Sequence, residues 1–217
     1  MLIKEIYKEL RFSVRDLLYN RKRRNRLSNK EFSLITSDCV GGCIAKDLKT
    51  RMNSPTRNFY FNADDYIKFC QNLDYYLTLE PKPYDGNYEG VGAEYLMASL
   101  GDLKMFLVHY TSVEECRKEW IRRRARVNKQ NMFFMMNDRN YCTERELKAF
   151  DELPYKNKVC FTHRKYPQYA ATFYIPGSDN DKYIKGVTRY IHQWWIKRYY
   201  DYFDFVSWLN NGGSDWK

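Results

Sequence analysis

The sequence predicts an α/β fold: a three-layer sandwich on a largely parallel sheet, modified by one β-hairpin and preceded by an N-terminal amphipathic helix. Three observations carry that expectation. From residue 31 onward, short apolar runs alternate with segments of helical spacing, as in strands linked by helices. A Gly101-Asp102 pair splits one apolar stretch into a hairpin. The first thirty residues differ in charge and periodicity, which separates a basic helix over 1–28 from a single α/β domain over 29–217.

The elements follow in order. "LIKEIYKELRFSVRDLL" repeats apolar residues at helical spacing (Ile3, Ile6, Leu10, Val14, Leu17) and runs into "RKRRNR", so an amphipathic helix with a basic end is expected. "FSLITS" (32–37) reads as a buried strand and "GGCIAKDLKT" as a short helix. "RNFYF" (57–61) is the next strand, and 63–79 a helix opened by Asp64 and Asp65. A Pro/Gly/Asn-rich loop spans Glu80 to Gly92, before the hairpin strands within 95–110. Ser112 with Glu115, and Thr143 with Glu146, have the spacing of capping boxes for two further helices. "NMFFMMN", "KVCFTH" and "YAATFYI" are strands. The Trp- and Tyr-rich tail from Tyr183 to Leu209 is expected to be helical.

Composition excludes several classes. With 44% hydrophobic and 18% aromatic residues, the chain is expected to fold nearly throughout. No run approaches the ~18–20 apolar residues of a membrane span, and no signal peptide core precedes the domain, so a cytoplasmic protein is expected. Its six scattered cysteines read as free thiols, and the C-x3-C of Cys39 and Cys43 is a weak metal signal. Of the net charge of +10, the first thirty residues carry ten Lys/Arg against three acids. That segment suits a packing helix with a solvated end, or a peripheral contact with an anionic membrane face. No nucleic-acid-binding signature accompanies the charge, so no nucleic acid is expected as partner.

In open parallel sheets, ligands gather beyond the carboxyl ends of the strands. The expected strands are followed by Ser37-Asp38-Cys39, Asn62, His109-Tyr110, Asn137-Asp138-Arg139 and Thr162-His163-Arg164. Cys39, His109, His163 and Asp138 are therefore the candidate catalytic residues, expected on one concave face. Ser37, Asp38, Gly41, Gly42, Asn62 and Arg139 are candidate binding residues at the same edge. Arg122, Arg123 and Arg126 would suit a phosphate if they overhang it. Each has a plainer alternative: Asp38 as a helix cap, Cys39 as a core thiol, the histidines as structural residues, the arginines as a solvated helix face. A helix dipole after Val40 would favour a Cys39 thiolate.

The succession "FSLITSDCVGGCIAKDL", "MNSPTRNFYFNADDYIKFCQNLDYYL", "GDLKMFLVHYTSVEECRKEWIRRRARVN", "DRNYCTERELKAFDELPYKNKVCFTH" and "FDFVSWLN" resembles a bacterial family, domain of unknown function 1919, over about residues 20–210. Its members are often labelled exopolysaccharide or capsule biosynthesis proteins. The resemblance implies a role in making surface glycans, and it supplies no catalytic residues. Family members often carry Asn at the position of Asp38, so it does not require a carboxylate there. The expectation is a group transferase, acyl or glycosyl, acting on a nucleotide-activated donor and a saccharide acceptor. In the acyl version Cys39 is the nucleophile; in the glycosyl version Asp38 or Asp138 supplies the carboxylate. The alternatives are a non-catalytic membrane-associated assembly factor and a sugar- or nucleotide-binding module. No cofactor is specified.

Overall fold

A four-stranded, wholly parallel sheet lies at the centre of the protein, in the order β1-β5-β6-β7. Its strands are β1 (Ser33–Thr36), β5 (Met132–Asn137), β6 (Lys158–Thr162) and β7 (Thr172–Tyr174). The computed structural model describes residues 2–51, 53–192 and 195–213; the side chains of residues 2–5 and 8 lie outside that description. A second, antiparallel sheet contains β2 (Lys82–Pro83), β3 (Met97–Leu100) and β4 (Leu103–Phe106). The expected hairpin is there, with Leu100 opposite Leu103 across the Gly101-Asp102 turn, but it belongs to this second sheet.

Uniformly apolar strands explain the layering. Phe134 and Met136 point to one face of the sheet, Phe133 and Met135 to the other, and all four are buried. The first face is covered by α4 (Ala63–Gln71), α5 (Leu73–Thr78), α6 (Val113–Arg124) and α7 (Glu144–Asp151), whose Phe69, Tyr76, Trp120 and Phe150 share a core with Ile35 and Cys160. The second is covered by α3 (Val40–Leu48), α8 (Phe205–Asn211) and the 3₁₀ turn Tyr199–Tyr202. Three layers result.

Local details depart from expectation in four places. "RNFYF" is not a strand but a stitch: Phe61 N–H donates to the Ser37 carbonyl, while Tyr60 exchanges both backbone hydrogen bonds with Phe106. It joins the edge of β1 to the edge of β4. The expected helix over 63–79 breaks at Asn72 into α4 and α5. Thr143 and Glu146 form the full capping box, whereas Glu115 reaches past Ser112 to the N–H and hydroxyl of Thr111. The tail is not one helix. Gly186 at φ +95 and an isolated bridge between Tyr190 and Arg198 keep it irregular until the 3₁₀ turn and α8.

The N-terminal helix exists, but its apolar face does not pack on the domain, one of the two places expected for it, the other being a partner. It comprises α1 (Leu2–Arg15), a π-helical turn (Asp16–Asn20) and α2 (Arg21–Arg26). A π turn places residues five apart on one face. Arg15 and Asn20 are so placed, both fully buried, and both donate to the Asp47 carboxylate, at 2.5 and 3.1 Å. Arg15 also pairs with Asp201 at 2.5 Å, and Tyr200 Oη donates to Asp47 at 2.6 Å. Arg23 pairs with Asp201, Arg24 with Asp16 and Arg26 with Asp204, while Arg21, Lys22 and Arg26 are exposed, so the basic end is solvated in part and paired in part. The apolar stripe points outward: Ile6, Leu10, Val14, Leu17 and Leu18 are all exposed. Ile3 belongs to the same expected face, and its side chain lies outside the described residues.

Asp65 shows what the packed interior costs. It lies buried in α4, where burial pushes its carboxyl up to about 6 and the Lys104 ammonium opposes that rise. The folded state therefore binds this proton more readily than the unfolded chain does, and its contribution to stability falls as pH rises from about 4 to about 6. Asp65→Asn should stabilise the protein by about 1–3 kcal/mol at pH 7 and give no gain at pH 4 or below. Urea denaturation at the two pH values measures this. A stability loss at pH 7 would mean that the pairing with Lys104 dominates.

Candidate functional site

The carboxyl ends of β1 and β5, the stitch and the segment after β4 meet around one cavity of about 260 Å³. Asp38 and Cys39 come from the β1 end, Arg139 and Asn140 from β5, Tyr60 from the stitch, and Val108 and His109 from beyond β4. The long loop between β2 and β3 adds Val91, Glu94 and Tyr95, and the C-terminal tail adds Thr188. The seam between the two sheets thus opens at the strand ends, where ligands bind in parallel-sheet proteins.

Asp38 is locked in place. Its Oδ1 accepts from the Val40 N–H at 2.9 Å and its Oδ2 from Asn137 Nδ2 at 2.9 Å. It thus holds the first N–H of α3 from one residue before the N-cap, which is Cys39. Burial raises its carboxyl above the usual range, while the Val40 N–H and the Arg139 charge draw it back.

Cys39 precedes α3, as expected, but its thiol is held protonated. Desolvation and the adjacent Asp38 carboxylate push it up to about 12. Burial outweighs the helix dipole, and the Sγ faces the Phe59 carbonyl at 3.9 Å. A thiolate nucleophile is disfavoured at this position. Gly41 and Gly42 lie within α3, and a Cβ on Gly42 would touch the Arg57 side chain at 3.4 Å. The small size of Gly42 makes room for Arg57.

Arg139 differs from the other cations of this edge. Its Nε is buried without a hydrogen-bond partner, and its guanidinium makes no hydrogen bond or ion pair among the described residues. It is 5.9 Å from the ring centroid of Tyr183, and its Nη1 is 3.1 Å from where a Cβ on Gly186 would stand. A charged fork with unsatisfied donors, facing a polar cavity, suits an anion. His109 is exposed on the same wall.

Asp138 and His163 are brought together, but not into this cavity. Asp138, 4% exposed, accepts from the His163 N–H at 2.7 Å, from His163 Nδ1 at 2.5 Å and from the Ile184 N–H at 2.9 Å. The pair fastens the ends of β5 and β6 to the tail. The expected face of Cys39, His109, Asp138 and His163 is therefore split in two. Ser37 is buried in backbone pairing. Asn62 is buried with Oδ1 unpartnered and Nδ2 3.3 Å from Tyr88 Oη. Arg122 and Arg123 pair with Glu119 on α6, and Arg123 also donates to Tyr110 Oη at 2.8 Å. Neither they nor Arg126 line the cavity.

Tyr60, Glu94, Tyr95 and Thr188 escaped the sequence analysis, because loops deliver them. Tyr60 stacks on Phe106 with centroids 4.6 Å apart and meets Tyr95 edge-on. Gly92, at φ +97, lets the loop close over this wall, since a Cβ there would stand 2.8 Å from the Phe106 ring and against Tyr60 Oη. The usable signal was "EGVGAEY": two glycines one residue apart, followed by the acidic and aromatic Glu94-Tyr95.

Fold and site together define an α/β protein with a polar, aromatic-walled pocket at the ends of its parallel strands. The chain belongs to the family described as "Domain of unknown function (DUF1919)", whose model matches residues 12–210. It is also similar to an uncharacterized protein of Haemophilus influenzae (strain ATCC 51907 / DSM 11121 / KW20 / Rd), with 36% identity over 192 residues, 88% of this chain and 90% of that one.

Proposed function

We propose that the pocket binds a phosphate-bearing sugar donor, of nucleotide-activated type, and that the protein is a glycosyl-type transferase with a saccharide acceptor. The observation that carries this reading is the unpaired guanidinium of Arg139 facing the cavity. Arginine offers paired donors to phosphate oxygens, and Tyr60 and Tyr95 offer flat faces to a sugar or base. His109, exposed at the cavity, takes the proton from the acceptor hydroxyl as its oxygen bonds to the anomeric carbon. The bond from that carbon to the donor phosphate breaks, and the charge left on the phosphate is held by Arg139. Acyl transfer through Cys39 is set aside because its thiol is held protonated. The resemblance to proteins labelled for exopolysaccharide or capsule synthesis supports a surface-glycan role as part of the same proposal.

Thermal-shift titration with a uridine diphosphate sugar, uridine diphosphate and coenzyme A tests the reading. At about 100 times Kd, the two uridine ligands should stabilise by about 2.7 kcal/mol, raising Tm by roughly 5–10 °C. Arg139→Ala should keep the unliganded Tm within about 2 °C and abolish the shift. An unchanged shift in that variant, or none with any phosphate ligand, would overturn the proposal.

A further inference from the structure

We infer that the outward face of the N-terminal helix is a docking surface for an anionic lipid bilayer. Ile6, Leu10, Val14, Leu17 and Leu18 form one continuous exposed stripe, each at least 37% accessible. An amphipathic helix on a globular domain ordinarily turns such a stripe inward. Here it cannot. The opposite face is held by Arg15 and Asn20 on Asp47, by Arg15 and Arg23 on Asp201, and by Arg11, which donates to the carbonyls of Trp195 and His192 at 2.8 and 2.9 Å. Rotating the helix to bury its leucines would strand those buried charges.

Charge selects the occupant. Arg21 and Lys22 continue the stripe one turn further; both are exposed and neither makes an ion pair among the described residues. Trp195, half exposed, stands beside the helix where Arg11 meets its carbonyl. Apolar side chains flanked by basic residues and an aromatic suit the headgroup region of an anionic leaflet, where each Lys or Arg adds about 1 kcal/mol. A second copy of the chain fits less well. Facing copies would bring together the exposed Arg21 and Lys22 of each, which make no ion pair among the described residues and would repel. No helix among the described residues is long and apolar enough to cross a membrane, so the contact is superficial.

Vesicle flotation of the full chain tests this. With vesicles of phosphatidylcholine containing about a third phosphatidylglycerol, the wild type should float, and roughly tenfold less should float at 1 M salt. Leu10→Glu combined with Leu17→Glu changes only exposed positions; it should keep the wild-type circular dichroism and lose about tenfold or more in binding. Arg21→Glu with Lys22→Glu should lose binding while keeping the apolar stripe. Equal flotation of wild type and the leucine variant would overturn the inference. So would a wild type that stays with the pellet while light scattering shows a dimer that the leucine variant breaks; that result would assign the stripe to a second copy.

Discussion

Arg15→Met should lower stability by about 3–5 kcal/mol, a fall in Tm of roughly 6–20 °C for a chain of this size. The guanidinium is fully buried between two carboxylates, Asp47 and Asp201, with Tyr200 beside it. Removing it leaves Asp47 in the interior without its ion-pair partner and Asp201 with Arg23 alone, a costly kind of single substitution. Burial alone would raise the Asp201 carboxyl, but the hydrogen bond from Arg15 and the charges of Arg23 and Arg15 more than offset it and hold it below 3.8. That contribution is complete above pH 4 and is lost as pH falls through the lowered value, so the gap between wild type and variant should narrow in acid. Urea denaturation at pH 7 and at pH 3 checks both statements. A loss under 1 kcal/mol at pH 7 would show that the acids regain water when the arginine is gone. Adding Asp201→Asn to Arg15→Met should recover part of the loss, because one of the stranded charges is then removed.

The second large effect is expected at Asp138. Asp138→Ala should cost about 2–4 kcal/mol, since hydrogen bonds to a buried charged group are worth about 1.5–3 kcal/mol each and three donors lose their acceptor. Asp138→Asn keeps one acceptor oxygen and should cost less. Melting curves of the two variants decide whether this residue fastens the fold. If both melted with the wild type while turnover vanished, Asp138 would belong to the chemistry instead, and the division of the strand-end residues into two groups would fail.

Much of this architecture was legible before any coordinates. "FSLIT", "MFFMM" and "KVCFT" are apolar on consecutive residues, which only a sheet covered on both faces demands, and they are three adjacent strands of the parallel sheet. Asp38 and Arg139 were legible as strand-end residues for the same reason. Phe59–Phe61 misled because burial in a bridging segment leaves the same apolar trace as a strand. The tail misled because its aromatics reach the core beside α8 from irregular chain and a single 3₁₀ turn rather than from one long helix, as Tyr200 and Phe203 do. The N-terminal helix was legible as amphipathic but not in its orientation. Periodicity says that two faces differ; which one meets the domain was decided by Asp47 and Asp201, acids remote in sequence. Thr188 reaches the cavity through a loop path that no local pattern encodes.

The π turn has a consequence for how the family can vary in length. A regular α-helix brings residues four apart onto one face, so removing one residue between Asp16 and Tyr19 would leave both anchors, Arg15 and Asn20, aimed at Asp47. Single-residue gaps should therefore be tolerated within this one turn, while the same gap in Ile6–Val14 would swing every preceding side chain about 100° around the helix and point the leucines elsewhere. Aligned relatives can thus shorten there without losing the attachment, and what they give up is one of the adjacent pair Leu17 and Leu18. The turn acts as a spare residue in the chain, a place where the sequence can gain or lose a position while the helix keeps its grip.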